Sequence, residues 1–523
     1  MPIMPNQFSD ILFQLIKSLE KAEKRHFKLY IKRSSGKEEL KIVQLFDALD
    51  KLAAYDEKLL LKKLTGIEKP QLANLKTHLY KQLLASLRLL KSADSIDLQL
   101  NEQFDYAHIL YKKGLFLQSL RIVEKAKELA RGSQKFIHLT QLIALEKRIE
   151  TLHITRSNLE KVDQLSAEAL EISTRTTNII QLSSLALQLY SWYIKNGHSR
   201  NPDDETGIRE FFATNLPAHA IEMKGFYEKL YLYQSFCMYA FIRQDFIMYY
   251  RYAQKWVNLF DDEPALIRVE TGHYIKGLHN LLNAHFDLRN FQLFEKVLNQ
   301  FEAFSKTDRV IENDNFLVQS FVYLNHSKLN QHLMKGTFKE GLLLIPELYE
   351  KLDEYSIFID LHRVLVFNYK TAMMYFGSGD YSTCIDYLQL IINNNIDLRY
   401  DLQCYARLLH LMAHYELGNT ELMEPLSKSV YRFMAKMKNF TVEEEAMFKF
   451  IRNSFKISRH KLATEFELFL NSIKQFEKNR FETRAFAYLD IISWVESKVY
   501  KKTLSEIIHQ KYLDYPVRNY PAQ

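Results

Sequence analysis

FDYAHILYKKGLFLQSLRIVEKAKELA, Phe104 to Ala130, reads as two amphipathic helices joined at Gly114. Gly114 can take a positive φ at no steric cost, which ends the first helix. Ala107 and Ser119 are small and let the two helices approach closely. Phe116 fills the space beneath the turn, and Ala126 gives a second close approach. Most of the chain beyond this stretch reads as variations on the same pair. Turns related to Gly114 fall near Arg156, His198, Gln244, Arg289, Gly336, Gly379, Gly418 and Arg459, at intervals of 39 to 47 residues. A near-constant period of this length marks a repeat array.

Composition agrees with long helices and short connections. The 523 residues include only 14 glycines and 10 prolines, against average usage of about 7% and 5%. Such scarcity disfavours all-β and turn-rich α/β folds. With 47% apolar, 13% aromatic and 25% charged residues, the chain can bury a continuous core, and extended disorder is not expected.

The order small, turn glycine, aromatic, small in Phe104–Ala130 resembles the tetratricopeptide repeat. It recurs at Leu329…Gly336-Thr337-Phe338…Gly341 and at Ala372…Gly379-Asp380-Tyr381…Cys384. The tryptophan and closing proline of that consensus are missing, and the period exceeds its 34 residues. The resemblance implies antiparallel helix hairpins stacked as an α-solenoid over residues 100–475. It also implies that certain first-helix positions line a concave groove. Carried over by spacing, these are Phe104, His108 and Tyr111; Tyr323, His326 and Asn330; Tyr369, Met373 and Phe376; and Tyr405, Met412 and Tyr415. The set is rich in Tyr, Phe and Met and holds no Lys or Arg, so it suits an apolar helix or extended segment better than a terminal carboxylate. The same residues could simply pack longer helices together, and that use is preferred.

Residues 1–95 form a separate block with 18 Lys and Arg and 11 Asp and Glu. The rest of the chain holds equal numbers, so the formal net charge of +7 belongs to this block. Phe8 to Arg33 reads as one helix with an apolar stripe from Leu12 to Tyr30. Lys17, Lys21, Lys24, Lys28 and Lys32 lie on roughly the opposite face. Further helices are predicted from Glu38 to Ala54, from Asp56 to Leu64 and, with Pro70 in its first turn, to Lys91. LIKSLEKAEKRHFKLY (Leu15–Tyr30) and KIVQLFDALDKLAAYDE (Lys41–Glu57) resemble the start of an uncharacterised bacterial family of long helical-repeat proteins, which carries no activity to transfer. The lysine stripe could meet an anionic partner, or be a solvated helix face. Residues 56–91 could form a helix-turn-helix presenting Lys76, His78, Lys81 and Arg88.

No catalytic constellation is legible. His410 and His414 stand one turn apart, but position 411 is Leu and no third ligand is near. Phe376-Gly-Ser-Gly-Asp380 lacks the lysine of a phosphate loop and falls at a repeat turn. Ser18-x-x-Lys21 has no partner motif. Glu443–Glu445 follow Thr441 at a helix start, where negative charge suits the dipole. Cys237, Cys384 and Cys404 sit in helical patterns without a CxxC pair, as in a reducing compartment. MPIMPNQFSD lacks the features of a signal peptide, and no apolar run approaches the roughly 18 residues of a membrane span. Asn201-Pro202 predicts a helix start, Pro346 a kink, residues 476–523 a capping tail. The reading is an all-α cytoplasmic protein without metal or cofactor. It is a non-catalytic scaffold or adaptor for a protein or peptide partner. The alternative is a nucleic-acid-associated regulator acting through residues 1–95, and the third reading is an enzyme without a recognisable motif.

Overall fold

The computed structural model describes residues 10–32, 37–64, 69–91, 95–153, 159–199, 201–394, 400–436, 442–454, 457, 459–475 and 490–514. Every extended element among them is an α-helix, and none is long and apolar enough to cross a membrane. The chain divides into two compact units, residues 5–176 and 177–523. The described residues of the expected block 1–95 lie in the first, and those of the expected tail lie in the second.

The first unit contains α1 (Ile11–Ser18), α2 (Lys21–Lys32), α3 (Lys37–Asp50), α4 (Glu57–Lys63), α5 (Lys69–Lys91), α6 (Ile96–Lys112), α7 (Phe116–Gly132) and α8 (Phe136–His153). The start of α9 (Leu159–Asn196) belongs to it as well. The predicted single helix over Phe8–Arg33 is two. Its path breaks at Leu19, whose backbone is extended. Glu23 Oε2 accepts the Glu20 N–H at 2.9 Å and caps the new start. The bend lets Leu19 join Leu12, Ile16, Phe27 and Phe46 in one core. Asp56 caps α4 by accepting from Lys58 N and Leu59 N, and Pro70 sits in the first turn of α5, both as predicted.

The α6–α7 pair follows the sequence reading closely. Gly114 has φ +75°, and a Cβ there would meet nothing within 4 Å, so the requirement is conformational. Ala107 and Ser119 are buried, and Ser119 Oγ donates to the Ala107 carbonyl at 2.8 Å. The small residues therefore place a hydrogen bond at the closest approach. Further on, α8 packs against both α6 and α7. Lys127 of α7 is buried between Glu146 at 2.7 Å and Glu168 at 2.9 Å.

The predicted turn near Arg156 lies outside the described residues. No pair of helices follows it, because α9 runs unbroken for 38 residues. Its sequence contains neither Gly nor Pro, so nothing interrupts the backbone ladder.

The second unit continues with α10 (Pro202–Asn215), α11 (Phe226–Ile242), α12 (Phe246–Asp262), α13 (Ala265–Val269), α14 (Thr271–Asp287) and α15 (Phe291–Ser305). It goes on through α16 (Asp308–Ile311), α17 (Asp314–Lys335), α18 (Phe338–Leu342), α19 (Ile345–Glu354), α20 (Leu361–Ser378) and α21 (Tyr381–Ile392). Then come α22 (Tyr400–Glu416), α23 (Thr420–Lys436), α24 (Val442–Ser454), α25 (Arg459–Lys474), α26 (Ile491–Val499) and α27 (Leu504–Asp514). Asn201 caps α10 as predicted. The turns at Gly336, Gly379 and Gly418 have positive φ, as do Gln244 and Arg289, where glycine is absent. At Gln244 a side-chain bond fixes the turn, since its Nε2 donates to the Ser199 carbonyl at 2.8 Å. The turn expected near His198 sits at Gly197, φ +72°. Arg459 begins α25, one residue beyond a largely undescribed connection. Pro346 does not kink a helix. It occupies the first turn of α19, where its missing N–H costs nothing.

Neighbours in sequence are neighbours in space through most of this unit: α11 packs on α12, α12 on α14, α14 on α17, α20 on α21, α21 on α22 and α22 on α23. Then the direction changes. While α26 packs on α25, α27 reaches back to α17 and α20. All seven residues from Ile491 to Ser497 are buried, so α26 has no solvent face.

Candidate functional site

The basic stripe is largely satisfied within the first unit. Lys17 Nζ donates to the Asp50 carbonyl at 2.7 Å, Lys24 pairs with Asp50 at 2.7 Å, and Lys28 pairs with Asp47 at 2.6 Å. Lys21 and Lys32, the other two of the stripe, are exposed. Lys76 turns inward to Asp10 and the Tyr55 hydroxyl. Burial opposes its charge, but those two partners outweigh it and hold its pKa above the ordinary lysine value. Arg88 pairs with Asp105 at 2.8 Å.

Phe104, His108 and Tyr111 form an edge-to-face ladder along α6, with ring centroids 4.6 and 6.5 Å apart, and Tyr111 leans on Phe116. They belong to the first unit, whereas the other nine predicted groove residues belong to the second.

Those nine fall into two stretches. In the first, His279 of α14 stacks flat on Tyr323 of α17 at 4.0 Å, with His326 edge-on at 5.5 Å. Arg363 of α20 lies over the other part of this layer, 6.0 Å from the Tyr323 ring. Lys370 of α20 donates to Asn330 Oδ1 and also lies over Phe286. The predicted set held no cation, yet Arg363 lies over Tyr323 and Lys370 donates to Asn330. A cavity of about 590 Å³ opens beside them, lined by Lys276, His273, Gln319, Phe316, Phe358 and Arg363 among others. On its wall Glu270 is engaged by the Tyr227 hydroxyl at 2.6 Å and by His273 Nδ1 at 3.0 Å. Lys276 has no hydrogen bond or ion pair among the described residues. Burial, followed by repulsion from Arg363, lowers its pKa. Burial also brings Lys370 down to about 7.

The second stretch is closed. Tyr369, Phe376, Tyr405 and Met412 are buried, while Met373 and Tyr415 are half-buried. Against Met373, Phe376, Met412 and Tyr415 lie residues of α26 and α27. Trp494 Nε1 donates to Glu416 Oε1 at 2.5 Å, and Lys498 Nζ to Glu416 Oε2 at 2.6 Å. The Tyr415 ring meets the Trp494 indole edge-on at 5.8 Å. A small cavity of about 50 Å³ remains between Met373, Phe376 and Met412 on one side and Trp494 and Ile508 on the other. In this conformation Tyr369 and Tyr405 pack helices and do not face a partner. The expected aromatic groove is here an interior, because an apolar stripe of this size is covered by the chain's own apolar helix.

His410 and His414 lie edge to face at 4.6 Å. Among the described residues no three His, Cys, Asp or Glu side chains gather as a metal site would require. Gly377 and Gly379 serve packing and turning. A Cβ at 377 would strike the Phe338 ring, and Gly379 has φ +91°. The three cysteines are buried free thiols, and burial raises the pKa of Cys237 and Cys384.

The buried histidines set an acid response. Burial, helped by Lys276, Lys370 and Arg363, brings His279 down to about 3. Burial brings His285 to about 4, and burial with His414 and Arg407 does the same for His410. In the unfolded chain these groups protonate near 6.5. Between about pH 6.5 and 4 the unfolded state therefore holds roughly two to three more protons from these residues, and stability falls as pH falls. The urea midpoint of the second unit is expected to drop from pH 7 to pH 5, and His410→Gln to make that drop shallower. An equal midpoint at both pH values would contradict it.

Sequence reasoning missed Lys276 and His279, although the signal was present. Tyr323 and His326 stand 13 and 10 residues before the turn at Gly336, and Lys276 and His279 stand at the same distances before Arg289. Lys370 and Arg363 do not share that spacing and become visible only through packing. Compared with known proteins, the chain matches no family model, no curated protein and no solved structure.

Proposed function

We propose that this chain is a non-catalytic interaction adaptor, a tetratricopeptide-like α-solenoid that holds a segment of a partner protein. The observation that carries this reading is the open cavity of about 590 Å³ at α14, α17 and α20, where Lys276 has no ion pair among the described residues although Glu270 and Asp314 also line the cavity. A cation desolvated without a partner is unfavourable, and an acidic side chain from outside would relieve it. Phe316 and Phe358 would receive an adjacent apolar residue. The segment that fits carries a carboxylate next to an apolar side chain.

The test is affinity capture from the native host with the wild-type chain and with Lys276→Met/Arg363→Met, after both are shown to fold. At least one protein is expected to be recovered with the wild type and reduced about tenfold or more with the variant, the equivalent of ~1.4 kcal/mol. Identical recoveries would overturn the reading. The alternative, a nucleic-acid-associated regulator acting through residues 1–95, has less behind it, because Lys17, Lys24 and Lys28 are already engaged by Asp50 and Asp47.

A further inference from the structure

The long helix α9 changes character along its length. From Leu159 to Arg175 it carries Glu160, Lys161, Asp163, Glu168, Glu171 and Arg175. From Thr176 to Ile194 it carries no charged residue, although one side of it faces solvent. Leu182, Leu185, Leu189 and Tyr193 share one core with Ile208 of α10 and Leu232 of α11. On the other side Ile180 is 54%, Leu187 69% and Ile194 36% exposed.

A helix face left in water normally carries charge, and single exposed apolar residues need no explanation. These three are not scattered. They recur every seven residues and so form one row, which drifts only about 20° per step. That is the spacing of a seam along which one helix meets another. The rest of the face is neutral: Thr177, Gln181, Ser184, Gln188 and Ser191 are all exposed. Residues 177–196 also open the second unit. In a stacked array the first element has no predecessor beside it, and its outer face is polar where it stays in water. Here that face is apolar.

The row also says which helix fits. Without charge it has nothing with which to select a partner of opposite sign, and nothing that repels its own copy. Its pattern is symmetric about Leu187. A two-fold axis there sets two copies of α9 antiparallel. Leu187 then meets Leu187 of the second copy, Ile180 meets Ile194, and the small Ser184 meets the large Tyr190. The nearest charge, Lys195, lies eight residues from the axis. Its two copies are then about 24 Å apart at 1.5 Å per residue, beyond the screening length of about 10 Å. Two-fold pairing through one self-complementary patch is the commonest way in which identical chains associate.

We infer that the exposed row Ile180–Leu187–Ile194 of α9 is an interaction surface for a second copy of this chain, paired antiparallel about a two-fold axis at Leu187. One helix pair buries less than the roughly 1,200 Å² of a stable interface, so the pairing is concentration-dependent, with a dissociation constant in the micromolar range. The inference goes beyond the adaptor reading and does not depend on it. The cavity at Lys276 is lined by other helices, and each copy brings its own.

Sedimentation equilibrium of the full chain between about 1 and 100 µM tests this. The wild type is expected to pass reversibly from monomer to dimer over that range. Leu187→Glu and Leu187→Lys each change a side chain already in water, and each should raise the dissociation constant at least about tenfold. Mixed in equal amounts, the two should restore a dimer, because the axis sets residue 187 against itself. A chain that stays monomeric at the highest concentration overturns the inference, whatever else covers the row. A dimer indifferent to Leu187→Glu, or a loss that mixing does not repair, also overturns it. Should a charged variant fail to fold, Leu187→Cys decides. Cys237, Cys384 and Cys404 are buried, so a short bis-maleimide is expected to link two copies through residue 187. Leu170→Cys, on the same helix and 71% exposed, controls for random collision, and linkage no greater than in that control overturns the proposal.

Discussion

Replacing Lys127 by methionine is expected to lower the stability of the first unit by about 3–5 kcal/mol, the range for breaking a buried ion pair from one side. The ammonium is 3% exposed and lies between Glu146 and Glu168. Burial by itself would lower its pKa, but the two carboxylates outweigh that effect and hold it above the ordinary lysine value. Removing the cation does not affect its partners equally. Glu168 keeps Arg131, whose Nε donates to it at 2.9 Å. Among the described residues Glu146 keeps only Lys161, at 3.9 Å, and its side chain is almost fully buried. The damage should therefore concentrate on Glu146, and Lys127→Met/Glu146→Gln should recover a large part of it. Urea titration of the three proteins checks this. A single variant within 1 kcal/mol of wild type (about fivefold in the folding equilibrium) would show that the group is hydrated in solution.

Trp494→Ala carries the other large effect. The indole is 2% exposed and packs beside Tyr415 and Phe466. Truncating a buried tryptophan costs about 3–5 kcal/mol, and here Glu416 also loses a donor. Because α26 is buried on every face and shares one core with α20 and α22, the loss is expected to appear as a lower urea midpoint for the second unit and increased binding of a hydrophobic dye. A midpoint equal to that of the wild type would contradict it.

How much of this could be read from the chain depends on the distance over which each choice is made. Gly114, Asp56, Pro70 and Asn201 act on their own turn of backbone, and each does in the structure what its chemistry predicts. The break at Leu19 was hidden because the apolar stripe of α1 and α2 continues across it, and only the return of Glu23 to Glu20 marks it. The long α9 was misread through period alone, although its lack of Gly and Pro argued for continuity. The fold-back of α27 was illegible. Ser505 and Gly336 are 169 residues apart, and nothing local to either names the other. The groove candidates were likewise chosen by spacing, which finds the face of a helix but not what covers it. The sequence therefore led to Met373, Phe376 and Met412 without Trp494 and Ile508 beside them, and to Tyr323 without the arginine over its ring.

The same separation has a consequence during biosynthesis. Ribosomes add about 5–20 residues per second, so the helix ending at Gly336 emerges on the order of 10–30 s before Ser505 exists to cap it. For that interval the apolar face of α17, α20 and α22 is bare beneath a growing chain. Nascent polypeptides halted after α22 should accordingly recruit hydrophobic-binding chaperones more strongly than chains halted after α27.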